Sequence, residues 1–107
     1  MACMNVAVLL ARLRSLLEPV YGERLKGLVL YGSVARGQAV AESDIDVLVI
    51  LDQVRDYGKD LRTNIEVLYP LAKELGRRIS AKPVSQQEYQ AAGCPLYRNA
   101  QREGIAA

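Results

Sequence analysis

Two short apolar runs separated by a polar loop constrain this chain more than any other feature of its sequence. The run IDVLVIL at 45–51 is rich in β-branched residues, and the run GLVLY at 27–31 is bounded by glycines. Runs of this length and composition predict buried strands. A third run, RISAKPV at 78–84, predicts another strand, and Pro83 within it indicates an edge strand or an early end.

Segments with helical periodicity alternate with these runs. Apolar residues over 6–20 recur at i, i+3, i+4 and i+7, which predicts a helix that Pro19 and Gly22 stop. The segment 56–78 predicts a second helix, which Pro70 is expected to kink or split. The apolar face of this second helix would carry Leu61, Ile65, Leu68, Ala72 and Leu75.

Helix start and stop signals mark the later part of the chain. Gly76 is a typical helix end, and Ser85 followed by Glu88 matches a capping box that would open a short helix. Pro95 and Gly104 bracket a last helical segment, in the usual order of proline first and glycine after. Strands that alternate with helices predict an α/β (α+β) fold, in which helices pack against a small mixed sheet.

Length and composition narrow the class of protein. The chain has 107 residues, half of them hydrophobic, which predicts one small globular domain over 1–107. It contains no histidine, so any chemistry must proceed without an imidazole base, which removes most hydrolase triads. The net charge is only +2, and no basic stripe with interleaved aromatic residues is present, so we do not expect nucleic-acid binding.

The sequence also bears on localisation. No window approaches the roughly 18 continuous apolar residues of a membrane span. Arg12 and Arg14 interrupt the first apolar segment, which is typical of an amphipathic helix rather than a signal peptide. Cys3 and Cys94 lack the spacing of a metal site, and a reduced pair is expected. These features predict a cytoplasmic protein with no membrane association.

A glycine–serine turn and two acids flank the loop between the first two predicted strands. Gly32 permits a close backbone approach by a ligand, and Ser33 offers a hydroxyl and a backbone N–H that favour phosphate. Asp44 and Asp46 stand two apart at the start of the second strand, so they project to the same side. Two carboxylates beside a phosphate site predict bound Mg²⁺, which commonly takes one or two carboxylates plus phosphate oxygens.

Gly32-Ser33, ten intervening residues and then Asp44-x-Asp46 resemble the signature of the DNA polymerase β-type nucleotidyltransferase superfamily. The chain is most similar to its minimal nucleotidyltransferases, which are often encoded beside a helical HEPN protein as a toxin–antitoxin pair. The resemblance implies a nucleoside triphosphate, with ATP the expected one, held through Gly32 and Ser33. It also implies Mg²⁺ held by Asp44 and Asp46, and transfer of a nucleoside monophosphate to a hydroxyl with release of pyrophosphate.

The same resemblance exposes one departure and leaves two functions open. The family usually carries a third carboxylate on a later strand, and Ser80 occupies that position here. One function is a nucleotidyltransferase that modifies a hydroxyl, expected to lie on a partner protein. The alternative is a catalytically impaired, nucleotide-binding, antitoxin-like module that acts by binding a HEPN-type partner. Either a HEPN-like protein or a second copy of the chain is expected as partner.

Several further polar and aromatic residues have two interpretations. Arg36 could contact a phosphate or pair with an acid of its own loop, and Ser43 could contact nucleotide or cap its own turn. Lys82 is a solvated strand residue or a phosphate contact. The tyrosines that could stack on a base are scattered, so core edge or partner surface is the better prediction for Tyr57, Tyr69, Tyr89 and Tyr97.

Overall fold

A mixed sheet organises the residues that the structure, a computed structural model, describes, namely 5–32 and 44–107. Its four strands, in the spatial order β3-β2-β1-β4, are β1 (Leu25–Tyr31), β2 (Ile45–Leu51), β3 (Ile79–Ser85) and β4 (Ile105–Ala106). Strand β2 runs parallel to β3 and antiparallel to β1, and β4 runs antiparallel to β1. The predicted mixed sheet is therefore confirmed, and β3 lies at its edge, as Pro83 indicated.

Helices pack on both sides of this sheet. Within the described ranges they are α1 (Val6–Tyr21), α2 (Tyr57–Leu75), α3 (Gln86–Ala91) and α4 (Pro95–Glu103). The side chains of Asn5, Asp56 and Ser85 cap α1, α2 and α3 by accepting a backbone N–H from the first turn. The helix start predicted at Ser85 is confirmed, since Glu88 N–H donates to Ser85 Oγ over 3.3 Å.

Strand β2 is covered on both faces, which explains why its sequence is apolar without alternation. On one face, its odd-numbered residues from Ile45 to Leu51 pack among leucines of α1 and α2. On the other face, Leu48 and Ile50 pack with Ala100 of α4. The first polar position of the strand, Asp46, lies on this second face, at the end where the helical cover stops.

Pro19 does not stop the first helix and Pro70 does not split the second, whereas the predicted stop at Gly22 is confirmed, because Gly22 caps the end of α1. Helix α1 continues through Pro19 to Tyr21, and α2 continues as one helix through Pro70 to Leu75. A proline removes one backbone hydrogen bond and crowds the preceding turn. Here buried side chains beyond each proline, Tyr21 in α1 and Leu71 in α2, hold the last turns against the core, because both are less than a tenth exposed.

The predicted apolar face of α2 packs on the core only in part, because Leu68 is buried and Leu75 packs against the core, whereas Ile65 does not. Asp60, Asn64, Leu68 and Leu71 are the buried residues of this helix, whereas Ile65 is 55% exposed. The buried polar positions have partners: Asn64 accepts from the Tyr21 hydroxyl and donates to the Ala81 carbonyl, and Asp60 pairs with an arginine. Satisfied polar groups can be buried, so the helix is rotated away from the orientation that hydrophobicity alone predicts.

No helix within residues 5–32 and 44–107 has the length and apolar character needed to cross a membrane. Of the two cysteines, Cys94 carries a free thiol at the start of α4, and Cys3 lies outside the described residues.

Candidate functional site

Asp46 is the centre of the candidate site, and its position follows from the register of the sheet. It pairs with Tyr31 of β1 on one side and with Ser80 of β3 on the other. Residues paired in register point to the same face of a sheet. Asp46 therefore stands between Tyr31 and Ser80, on the face that carries Leu48 and Ile50.

Asp44 precedes β2 and is exposed, two residues before Asp46. Burial raises the pKa of Asp46, the charge of Asp44 raises it further, and Lys82 lowers it. The two carboxylates are thus close enough to repel each other, and the ammonium group of Lys82 only partly compensates for them. Such a pair of partly compensated anions is suited to hold a cation.

Gly32 lies directly after β1 and against Asp46, one of the two acids. A Cβ built on Gly32 would lie 2.6 Å from Asp46 Oδ2, and the residue has a φ of +75°. Only glycine adopts such a backbone without strain and also leaves room for the carboxylate. The backbone at the end of β1 therefore lies against the Asp46 carboxylate, and the close approach of a ligand that the sequence predicts at Gly32 stays a prediction.

The remaining predicted site residues fall in the segment between β1 and β2. Ser33, Arg36 and Ser43 lie outside the residues that the structure describes, so their roles in holding a nucleotide stay predictions. The structure brings Gly32 and Asp46 together, with Asp44 adjacent.

Tyr31, which the sequence prediction left out, and Lys82, for which it left a phosphate contact open, also lie at this site. Burial, the charge of Asp46 and the nearby Tyr57 together raise the pKa of Tyr31 to about 12. Lys82 follows Ser80 by two residues and faces the same side, where its charge acts on Asp46. The period of two along β1 and β3 could have identified both, once the register was known.

The residues present fit a magnesium ion with few protein ligands. Among the described residues, no three histidine, cysteine, aspartate or glutamate side chains form a group that could hold a metal. Asp44 and Asp46 offer two carboxylates, and Mg²⁺ commonly takes its other ligands from phosphates and water. Burial and the charge of Asp44 raise the pKa of Asp46, so a bound cation would favour the ionised form of this carboxyl group. A site of this kind would bind the ion together with a phosphate ligand.

A second polar pocket, of about 390 Å³, lies beyond the other end of β2 and has a different character. Arg24 lies at its centre, with its Nη2 atom 3.1 Å from Asp60 and its Nε atom 3.5 Å from Asp52. The guanidinium group also stacks over the Tyr21 ring at 5.3 Å. Equal numbers of acids and bases line this pocket, the others being Arg55, Asp56 and Lys59. The charged side chains of this pocket therefore neutralise one another, and we assign the pocket a structural role.

Sequence comparison identifies the family. The profile described as "Nucleotidyltransferase domain" matches residues 10–105. A protein of Methanocaldococcus jannaschii named "Putative protein adenylyltransferase MJ0604" is 43% identical over 53 residues, which are 50% of this chain and 53% of that protein. The chain thus spans about half the length of this curated relative.

Two solved structures share the fold. A structure described as "toxin-antitoxin with AMP-PNP" matches with a TM-score of 0.62 and 22% identity, over 90% of this chain and 69% of that chain. A structure described as "putative minimal nucleotidyltransferase" matches with a TM-score of 0.55 and 29% identity, over 98% of both chains. The predicted nucleotidyltransferase fold is confirmed. Because the family profile covers nearly the whole sequence, this chain belongs to the nucleotidyltransferase domain family.

Proposed function

We propose that this chain binds Mg²⁺ and ATP at the site formed by Gly32, Asp44 and Asp46, and transfers AMP to a hydroxyl of a partner protein. The observation that carries the proposal is the contact between the Gly32 backbone and the Asp46 carboxylate. This contact brings the Gly32 backbone against one of two neighbouring acids whose charge Lys82 only partly compensates, an arrangement that would suit metal-assisted phosphoryl chemistry.

Each group has a defined part in the proposed reaction. The acceptor oxygen attacks the α-phosphorus, the bond from that phosphorus to the β-phosphate oxygen breaks, and pyrophosphate leaves. Asp44 and Asp46 would hold the ion, which would neutralise charge on the phosphates. Gly32 would let the triphosphate approach the backbone, and Lys82 lies on the same face of the sheet, where its charge would favour phosphate. The proton of the acceptor hydroxyl would pass to solvent, because Ser80 is not a base at neutral pH.

The choice of ATP and of a protein acceptor is supported by the comparisons. The Methanocaldococcus relative is named for adenylyl transfer to protein, and the solved toxin–antitoxin structure contains AMP-PNP, an ATP analogue. A HEPN-like partner is favoured by the resemblance to minimal nucleotidyltransferases, and a second copy of the chain is the other candidate partner.

One observation favours a second candidate function. Ser80 pairs with Asp46 in the sheet, at the position where the resemblance leads us to expect a third acid. A site with two carboxylates can still bind one Mg²⁺ through a triphosphate, but it lacks a positioned base. The chain would then be a nucleotide-binding, antitoxin-like module that acts by binding its partner.

Calorimetry followed by a transfer assay tests both functions. ATP, GTP, CTP and UTP are titrated into the protein with Mg²⁺ and again with EDTA, and we expect heat for ATP only with Mg²⁺. Transfer of label from [α-³²P]ATP is then measured to the helical protein encoded beside this chain, where the neighbouring reading frame encodes one. Binding with transfer supports the enzyme, and binding without transfer supports the module.

Matched variants assign the result to the site. Asp44→Asn and Asp46→Asn should each abolish Mg²⁺-dependent binding. Asp52→Asn removes the same charge at the far end of β2, beside Arg24, and should leave binding unchanged. If no nucleotide binds the native protein, both functions are wrong.

A further inference from the structure

A groove runs between helix α2 and the edge strand β3. It has a volume of about 520 Å³ and is lined on the α2 side by Tyr57, Leu61, Ile65 and Tyr69. These residues follow one another at intervals of four and so form a stripe along the helix. The side chains of Tyr57, Ile65 and Tyr69 are 50%, 55% and 62% exposed. Large apolar side chains that are this exposed and lie next to one another indicate an interaction surface.

The exposed backbone of β3 is poorly suited to add a further strand. The Asn64 side-chain amide already donates to the Ala81 carbonyl over 3.0 Å, from within the α2 layer. Pro83 has no N–H to offer to a neighbour. Strand addition relies on main-chain hydrogen bonds along an open edge. A partner must therefore bind this groove through side chains, as a helix laid into an apolar groove does.

The charges that line the groove are all of one sign. Arg78 and Lys82 stand along its β3 side, and no acidic residue is among the described residues that line it. Complementary charge favours a partner that carries carboxylates beside its apolar residues. Arg78 and Lys82 would repel a partner that carries basic residues beside its apolar residues.

The groove is continuous with the candidate site. Ser80 and Lys82 line the groove, and Ser80 is also the register partner of Asp46. Helix α2 packs on the opposite face of the sheet from Asp46, so a segment bound in the groove would reach Asp46 around the β3 edge, past Ser80, which is where an acceptor hydroxyl has to arrive.

We propose that the groove between α2 and β3 binds an amphipathic, acidic helix of the acceptor protein and so delivers its hydroxyl to Asp46. This inference rests on the proposed function, because it assigns the docking surface for the acceptor of that reaction. It commits the partner to a helix with an apolar stripe flanked by Asp or Glu.

A selection from a phage-displayed library of helical peptides tests the proposal. The library is selected on the native protein and depleted on the Ile65→Asp variant, which places a charge in the middle of the stripe. We expect the recovered peptides to carry an i, i+3, i+4 apolar stripe with flanking Asp and Glu. Fluorescence anisotropy with a recovered peptide should then show affinity reduced at least tenfold by Ile65→Asp and at least threefold by Arg78→Glu.

The matched control is Val8→Asp. Val8 is β-branched and 55% exposed, like Ile65, but it lies on α1 and does not line the groove. Its variant should bind the peptide within twofold of the native protein. Thermal unfolding is recorded for every variant, so that loss of fold is separated from loss of binding.

Three outcomes would overturn the proposal. They are recovery of basic peptides, peptide affinity that does not depend on Ile65, and a native dimer that Ile65→Asp converts to a monomer in light scattering. The last outcome would assign the groove to a second copy of the chain. Calorimetry with Mg²⁺ and ATP is run in parallel on the native protein and on Ile65→Asp. If the proposed function is wrong, calorimetry will show no nucleotide binding by the native protein, whatever the peptide experiment shows.

Discussion

The backbone of Gly32 and the carboxylate of Asp46 are in direct contact. A Cβ on residue 32 would lie 2.6 Å from Asp46 Oδ2, closer than real Cβ atoms approach other heavy atoms. Residue 32 also has a φ of +75°, which side chains disfavour. The positive φ and the contact with Asp46 thus each require glycine at this position. Only the contact with Asp46 concerns the candidate site.

The variant Gly32→Ala separates these two constraints. We expect it to displace the Asp46 carboxylate and to weaken Mg²⁺–ATP binding at least about tenfold, which corresponds to about 1.4 kcal/mol. The control is Gly76→Ala, since Gly76 has a φ of +63° with no atom within 4 Å of its Cβ position. Both variants should lose about 1–2 kcal/mol of stability from backbone strain. Calorimetry and thermal unfolding give the two readouts, and equal ATP binding by both variants would contradict the prediction.

Replacing Asp46 should stabilise the protein while abolishing its binding. The pKa of Asp46 is raised by burial and by Asp44, so its charged form is disfavoured in the folded state. Because the group is only partly buried and solvent still screens its charge, we expect Asp46→Asn to gain only about 0.2–1 kcal/mol, or about 1–5 °C in melting temperature for a domain of this size. Added Mg²⁺ and ATP should raise the melting temperature of the native protein and leave that of the variant unchanged.

The pH dependence of this difference has a definite sign. A carboxyl group whose folded pKa lies above its unfolded value of about 3.9 loses its proton first in the unfolded chain. Stability of the native protein relative to Asp46→Asn therefore falls as pH rises from the unfolded pKa through the folded pKa, and is constant above it. Melting curves from pH 4 to 7.5 should show the variant's advantage shrinking toward pH 4. An advantage that grows toward pH 4 would show that the carboxylate stabilises the fold.

The strands were predictable because burial on both faces leaves an unambiguous apolar run. Strand β2 has the predicted bounds of 45–51, and β3 differs from its prediction by one residue at each end. Strand β4 was not predicted, because two residues, Ile105 and Ala106, carry no periodicity; hydrogen bonds of 2.8 and 3.0 Å between the backbones of Leu28 and Ala107 continue its pairing.

The orientation of α2 could not be predicted from its sequence, because Asn64 is buried through hydrogen bonds to distant parts of the chain. Hydrophobicity assigns Ile65 to the core and Asn64 to solvent, but Asn64 is fully buried. Its amide bridges the Tyr21 hydroxyl of α1 and the Ala81 carbonyl of β3. These partners are distant in the sequence, so no local pattern reports them. The proximity of Gly32 and Asp46 was easier to predict, because they lie at the adjoining ends of β1 and β2, two strands that the sequence predicts and that pair in the sheet.

Removing the Asn64 bridge should therefore destabilise the fold strongly. Asn64→Ala removes the amide donor of the buried Ala81 carbonyl and one acceptor of the Tyr21 hydroxyl, which keeps the Asp60 carbonyl; an unsatisfied buried group costs about 1–3 kcal/mol. We expect a total loss of about 2–4 kcal/mol in urea unfolding. Asn99→Ala, which removes an exposed amide on α4 that accepts from Arg102, should change stability by less than about 0.5 kcal/mol. Similar losses for the two variants would contradict the assigned role.

The last prediction concerns the acid that Ser80 replaces. Ser80 is the register partner of Asp46, so Ser80→Asp would place a third carboxylate beside the other two. A positioned base typically contributes about 10²–10⁴-fold in rate, so we expect pyrophosphate release to rise at least about tenfold over a slow native chain. Ser85→Asp is the control, because it adds the same charge at the other end of β3 and aspartate still caps α3. Brisk turnover by the native chain, or equal rates for the two variants, would show that the reaction does not depend on an acid at position 80.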